Sequence, residues 1–165
     1  MCLLCGNTGG SHAVSLTERP SHELAGLWWS GTHAQAAAGA IRRVIAEVKA
    51  FSDGRQSAWR SPIVGLSRND RTDGFDYFTG VSVEADEALP ASFERLAVAE
   101  GTFAGSWHGP QDGEVVEHYG RMIAWLEGSG WAWDRSIFHH REEYPPDHDP
   151  EAPPALRLML PVMRG

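Results

Sequence analysis

The sequence contains little cysteine, with only two Cys among 165 residues, both within the first five. No disulfide framework can support the fold, and a reducing compartment is compatible with it. Cys2 and Cys5 have the spacing of metal ligands, but the second pair that completes a zinc site is missing. We therefore expect neither a metal nor another cofactor. Residues 1–12, rich in Gly, Asn and Thr, are expected to be a flexible leader before a single domain over residues 13–165.

Long apolar runs are also missing. No stretch approaches 18 apolar residues, and the first residues lack the basic start and apolar run of a signal peptide. These absences predict a cytoplasmic protein with no membrane contact. Basic residues are few as well, 14 against 22 acidic ones, so the net charge is −8. Without a basic stripe, direct binding to nucleic acid is not expected.

Aromatic residues, in contrast, are plentiful for this length: seven Trp, six Phe and three Tyr. Such large flat side chains fill either a core or a binding pocket. The surplus of Trp is therefore the first indication that the protein binds a small molecule.

Hydrophobic periodicity predicts the order β, α, β, β twice along the chain. The first helix begins at Thr32, where Thr32 and Gln35 form a capping box, and the second has Asp112 as its predicted N-cap. The predicted segments are strands over 13–31, a helix to Gly54, strands over 62–67, 75–84, 93–98 and 102–108, a helix ending at Gly128, and strands over 137–144 and 156–162.

The two halves also resemble each other in sequence. Trp29 precedes the first helix as Trp107 precedes the second, an offset of 107 − 29 = 78, and the same offset aligns Ile41 with Tyr119. This match predicts an internal duplication, with pseudo-repeats at about 13–85 and 92–163. Two related halves would form a cleft on their shared axis, a common position for a pocket.

Five segments, at 19–27, 77–81, 101–109, 142–144 and 158–162, together resemble the GyrI-like family of small-molecule-binding domains. These are also the effector-binding domains of AraC-type and MerR-type multidrug-sensing regulators. The resemblance implies an α+β fold, a duplicated βαββ unit of tandem SHS2-type modules, with an antiparallel sheet and two helices outside a central ligand groove. It also implies that the groove binds bulky, often cationic, aromatic compounds. Because only about twelve residues precede the first strand, we expect an effector-binding domain with no DNA-binding domain.

The same resemblance assigns Glu142 and Tyr144 to a Glu-x-Tyr motif at the floor of the groove. Alternation along the last-but-one strand predicts that Phe138, His140, Glu142 and Tyr144 share one face. A carboxylate buried among aromatic rings needs a cation or a raised pKa. A lipophilic cation would pair with Glu142 and gain roughly 0.5–2 kcal/mol from each cation–π contact. The alternative is that Glu142 pairs with a nearby Arg or faces solvent.

Further candidate ligand-binding residues are aromatic or lie at strand ends. Trp131 and Trp133 either cover the pocket or shield a helix end, and His108 either contacts the ligand or caps the helix. Trp125 and Trp59 are expected to be packing residues. The candidates for the walls of the groove are Trp29, Tyr77, Trp107, Phe138 and Tyr144.

Three functions remain open from the sequence. The first is the binding of a lipophilic cation for drug sensing or sequestration. The second is hydrolysis of an electrophilic small molecule, with Glu142 as general base and Tyr144 beside it as the catalytic pair. The third is an inhibitory module that binds a protein partner.

Overall fold

A computed structural model of the protein describes residues 13–55 and 60–165. The predicted leader, Cys2, Cys5 and Trp59 lie outside these residues. The described residues form nine strands and three helices. The strands are β1 (Ser15–Arg19), β2 (His22–Thr32), β3 (Ile63–Arg68), β4 (Gly74–Ser82), β5 (Glu94–Val98), β6 (Gly101–His108), β7 (Trp131–Trp133), β8 (His140–Tyr144) and β9 (Leu156–Arg164). The helices are α1 (His33–Ala37), α2 (Ala40–Asp53) and α3 (Val115–Leu126).

All nine strands join one antiparallel sheet in the order β1-β6-β9-β8-β3-β4-β2-β5, with β7 beside β9. The order is symmetric about the central pair β3 and β8. On each side a βαββ unit contributes three strands, and the outermost strand comes from the other half of the chain. The α+β fold with a large antiparallel sheet is therefore confirmed. The symmetry supports a duplication, which we propose, with bounds near 13–85 and 92–163.

The predicted equivalence of Trp29 and Trp107 is wrong, because the two side chains lie on opposite faces of the sheet. Trp29 pairs directly with Tyr77 on the face that carries the helices. On β6, Ser106 and His108 point to α3, where both contact His118, so Trp107 between them points away. When a strand is shifted by one residue, every side chain moves to the other face of the sheet. The two strands therefore correspond through an odd offset and not through 78.

The helices largely follow the predicted pattern. The capping box of Thr32 and Gln35 is present, but the first predicted helix is two helices, separated at Gly39, whose φ of 99° is left-handed. The predicted cap Asp112 is wrong. Its carboxylate accepts a 2.6 Å hydrogen bond from the Gly109 N–H, and α3 begins three residues later behind Glu114.

The core has two parts, one on each face of the sheet. The larger part packs α2 and α3 against the sheet through Val48, Met122 and Leu158. The smaller part lies on the opposite face around Leu66, Phe78 and Phe138. No helix in the described ranges is both long and apolar enough to cross a membrane.

Candidate functional site

The site is centred on β8, which lies in the middle of the sheet. His140, Glu142 and Tyr144 point to the helix-bearing face, while Arg141 and Glu143 point to the other face. Gly65 of β3 is the direct cross-strand partner of Glu142. The predicted face is thus confirmed for three of the four residues. It is wrong for Phe138, because β8 begins only at His140 and alternation does not extend to residue 138.

Glu142 is a partly buried carboxylate held by a tyrosine. The Tyr144 hydroxyl donates a 3.0 Å hydrogen bond to Oε2 of Glu142. Burial raises the pKa of Glu142 to about 7, although the hydrogen bond from Tyr144 and the nearby Tyr119 hydroxyl act to lower it. No basic side chain in the described part of the chain contributes to this shift. The predicted alternative, an ion pair between Glu142 and an Arg, is therefore not what the structure contains.

Two further tyrosines surround this carboxylate. Tyr77 and Tyr119 are buried, and neither hydroxyl has a hydrogen-bond partner among residues 13–55 and 60–165. Gly65 makes room for Tyr77, since a Cβ at this position would overlap the Tyr77 hydroxyl. The negative charge of Glu142 contributes to raising the pKa of Tyr77, Tyr119 and Tyr144, although burial is the larger cause for each. All three phenols are therefore neutral donors near one carboxylate.

His140 and Trp133 extend the aromatic surface. The His140 ring lies 4.4 Å from that of Tyr119 and 5.4 Å from that of Trp133, measured between ring centroids. Burial, with a smaller effect of His139, lowers the pKa of His140 to about 4. His140 is thus neutral near pH 7 and adds no positive charge to the cluster.

A cavity of about 380 Å³ opens beside this cluster, between α2 and the proline-rich loop of residues 145–154. Tyr144 lines it, and the His148 ring, tilted by 48°, lies 4.6 Å from the Tyr144 ring between centroids. The volume falls in the usual range for small-molecule sites. The cavity wall carries one exposed acidic residue, Glu151, and one exposed basic residue, Arg42. A ligand in the cavity would therefore contact the tyrosine that holds Glu142.

Glu143, the neighbour of Glu142, has the opposite environment. It accepts hydrogen bonds from Arg19 at 2.7 and 2.9 Å and from Nε of Arg141 at 3.0 Å, and Nη2 of Arg141 forms an ion pair with it at 2.9 Å. Burial acts to raise the pKa of Glu143, but these arginines outweigh it and the pKa is lowered. Two adjacent carboxylates on opposite faces thus differ in charge state near pH 7, and only Glu142 has no arginine beside it.

Several predicted residues lie apart from this cluster. Trp107 is 44% exposed on the opposite face, so its predicted place in the wall of the groove is wrong. His108 is buried beneath α3, with its Nδ1 2.8 Å from Nδ1 of His118. Trp131 packs at the edge of the core. The guanidinium carbon of Arg164 lies over its ring, 4.4 Å from the ring centroid. Trp29 is the cross-strand partner of Tyr77, but its ring packs on Phe75, at 5.3 Å between centroids, and the Phe75 ring lies 6.5 Å from that of Tyr77.

Sequence reasoning missed Tyr119, Gly65 and His148 as residues of the site. Tyr119 was named as the counterpart of Ile41 in the second helix and not as a site residue; it packs in the core, and its hydroxyl end lies near the carboxylate. The only available signal was its Tyr identity within an otherwise aliphatic stripe. In the described part of the chain, no group of three or more His, Cys, Asp or Glu is placed to hold a metal ion.

This arrangement, an antiparallel sheet with helices on one face and a carboxylate among phenols beside a cavity, defines a small-molecule-binding domain. The model of the GyrI-like small molecule binding domain family matches residues 12–163. The chain belongs to this family. No curated protein matches it.

Solved structures show the same fold at low sequence identity. The EcmrR C-terminal domain has a TM-score of 0.68 at 14% identity, covering 93% of this chain and 98% of that one. In the EcmrR–DNA complex, with a TM-score of 0.66 and 15% identity, 93% of this chain matches 58% of the EcmrR chain. SAV2435 bound to tetraphenylphosphonium has a TM-score of 0.63 at 17% identity, covering 92% and 94%. A hydrolase from Listeria innocua has a TM-score of 0.58 at 16% identity, covering 93% of each chain.

Proposed function

We propose that the protein binds bulky lipophilic cations, with Glu142 as the counter-charge, as part of drug sensing or sequestration. The observation that supports this most is the carboxylate itself: it lies among three tyrosines, and no basic side chain of the described residues contributes to its pKa shift. An ionised carboxylate with little solvation is costly for the empty protein. A cation whose own hydration is weak offsets that cost.

The surroundings favour an aromatic cation over a small hydrated one. Tyr144, which lines the cavity, and the partly exposed Trp133 are the aromatic rings of this cluster placed for cation–π contacts, each contributing roughly 0.5–2 kcal/mol. A small ion such as sodium would need several oxygen ligands in a shell. The similarity in fold to SAV2435, whose structure contains tetraphenylphosphonium, supports this choice of ligand class.

A second candidate function is hydrolysis with Glu142 as general base. Its pKa of about 7 favours this reading, since a base works best when its pKa is near the operating pH. Tyr144 would then orient the carboxylate through the 3.0 Å hydrogen bond. The similarity in fold to a Listeria innocua hydrolase is compatible with this function.

One experiment separates the two functions. Tetraphenylphosphonium and the neutral triphenylphosphine oxide are titrated by calorimetry, and an electrophilic aryl ester is incubated with the protein and followed by mass spectrometry. Cation binding predicts measurable affinity for the phosphonium, at least about tenfold weaker affinity for the oxide, and an intact ester. Equal affinities would contradict the role of charge, and ester loss that Glu142→Gln abolishes would establish hydrolysis instead.

A further inference from the structure

A second cavity lies on the face of the sheet opposite the helices, away from Glu142. It has a volume of about 210 Å³ and is lined mainly by apolar groups from the sheet and from the 97–103 and 134–138 segments. Its apolar wall includes Leu66, Phe103, Phe138 and Val162. A volume below the usual range for drug-sized ligands indicates a small occupant.

One charged side chain enters this apolar wall. Arg141 lines the cavity and is only 3% exposed. Its Nε and Nη2 are bonded to Glu143, and its guanidinium lies 5.5 Å from the centroid of Phe103. Nη1, the third guanidinium nitrogen, is buried and has no hydrogen-bond partner among residues 13–55 and 60–165. A buried N–H donor without an acceptor is costly, and an acceptor brought by a ligand removes that cost.

The most deeply buried charge in the cavity wall is the positive charge of Arg141. Behind the wall, Glu143 is shared by Arg141 and the partly exposed Arg19, so these three side chains together carry one net positive charge. Burial lowers the pKa of Arg141, which shows that its charge is poorly solvated. Of the acidic residues in the cavity wall, Asp134 already accepts hydrogen bonds of 3.0 and 2.6 Å from the N–H and hydroxyl of Ser136, and Glu100 is exposed at the rim.

We propose that this cavity binds a small apolar monocarboxylate, with Nη1 of Arg141 donating to a carboxylate oxygen and the hydrocarbon part lying against Phe103 and Phe138. Charged hydrogen bonds from arginine to carboxylate are among the stronger polar contacts in proteins. The site is separate from the cation site, because Arg141 and Glu142 point to opposite faces of β8. The proposal therefore stands or fails independently of the proposed function.

Benzoate is the probe for this site, and benzyl alcohol is its neutral control. Each is titrated into the ¹⁵N-labelled protein while the Arg141 Nε–H resonance and the backbone amides of 97–103 are followed by NMR. We expect saturable shifts with benzoate and an affinity for benzyl alcohol at least about tenfold weaker. No saturable shift with benzoate, or equal shifts with both compounds, would overturn the proposal.

Arg141→Met and Arg19→Met form a matched pair of variants, since each removes one of the two arginines on Glu143 and only Arg141 lines this cavity. Benzoate affinity should fall about tenfold or more in Arg141→Met and stay within about twofold of wild type in Arg19→Met. If Arg141→Met does not fold, Arg141→Lys keeps a charge beside Glu143 without the guanidinium arm. Unchanged benzoate binding by either Arg141 variant would overturn the proposal. The affinity for tetraphenylphosphonium should be the same in wild type and in all of these variants.

Discussion

The hydroxyl of Tyr144 donates a 3.0 Å hydrogen bond to Oε2 of Glu142, two residues earlier on the same face of β8. This contact stabilises the ionised form of a carboxylate whose pKa burial raises to about 7. The carboxylate is therefore half-titrated near neutral pH. A bound cation would shift this balance fully to the ionised form.

Cation affinity should rise with pH. With a pKa of about 7, about a tenth of Glu142 is ionised at pH 6 and about nine tenths at pH 8. The association constant for tetraphenylphosphonium should accordingly increase about tenfold over this interval, measured by calorimetry. Burial lowers the pKa of His140 to about 4, so this ring stays neutral throughout. The same titration of Glu142→Gln should be flat, and an equal slope in the variant would assign the effect to another group.

The stability of the empty protein should change in the opposite direction. The pKa of Glu142 lies above its usual value of 4.5, so the folded state binds more protons than the unfolded state between these values. Its contribution to stability is therefore present below pH 4.5 and is lost as pH rises through about 7. Thermal unfolding of wild type and Glu142→Gln should show wild type losing stability relative to the variant from pH 5 to pH 8. A constant difference between the two would contradict the raised pKa.

Tyr144→Phe should raise the pKa of Glu142 further. A hydrogen bond to a charged group contributes about 1.5 kcal/mol, and one pKa unit corresponds to about 1.4 kcal/mol. The midpoint should therefore move up by about one unit, followed by NMR of the Glu142 carboxyl carbon. Affinity for tetraphenylphosphonium at pH 7 should fall about fivefold, because the ionised fraction of Glu142 falls from about one half to about one tenth. A midpoint that stays in place would show that the hydrogen bond does not favour the ionised form.

Gly65→Ala should disturb the site through packing. The added Cβ overlaps the Tyr77 hydroxyl, so the ring must move at a cost of about 1–3 kcal/mol. Gly120→Ala is the control, because a Cβ added at this exposed helical position meets no other atom within 4 Å. Alanine there should raise the stability of the protein by up to about 1 kcal/mol. Chemical denaturation measures both. Equal stability of Gly65→Ala and wild type would mean that Tyr77 does not need the space above Gly65.

The sequence predicted the parts of this structure that local periodicity controls. The capping box at Thr32, the stripes of both long helices and the common face of Glu142 and Tyr144 all follow from spacing of 3.6 or two residues. The break at Gly39 was missed because a left-handed glycine gives no signal beyond its identity. The three-residue β7 was too short to show alternation.

The errors within the site arise where the fold, and not local periodicity, decides the position of a side chain. Phe138 was assigned to the face of Glu142 because alternation was extended two residues before the start of β8. Trp107 was aligned with Trp29 because the surrounding residues match. In the structure this alignment, with its offset of 78, pairs residues that lie on opposite faces of the sheet. Tyr119 was missed because it reaches Glu142 from α3, a contact that depends on how the helix packs over the sheet.

The most direct test of the central claim is the affinity of Glu142→Gln for tetraphenylphosphonium at pH 8, measured by quenching of tryptophan fluorescence. Trp133, next to His140, lies close enough to report binding. Glu94→Gln on the edge strand β5 is the matched control, with the same change of charge at an exposed position. We expect Glu142→Gln to lower the affinity about tenfold or more and Glu94→Gln to leave it unchanged. Equal affinities of the two variants and wild type would contradict Glu142 as the counter-charge.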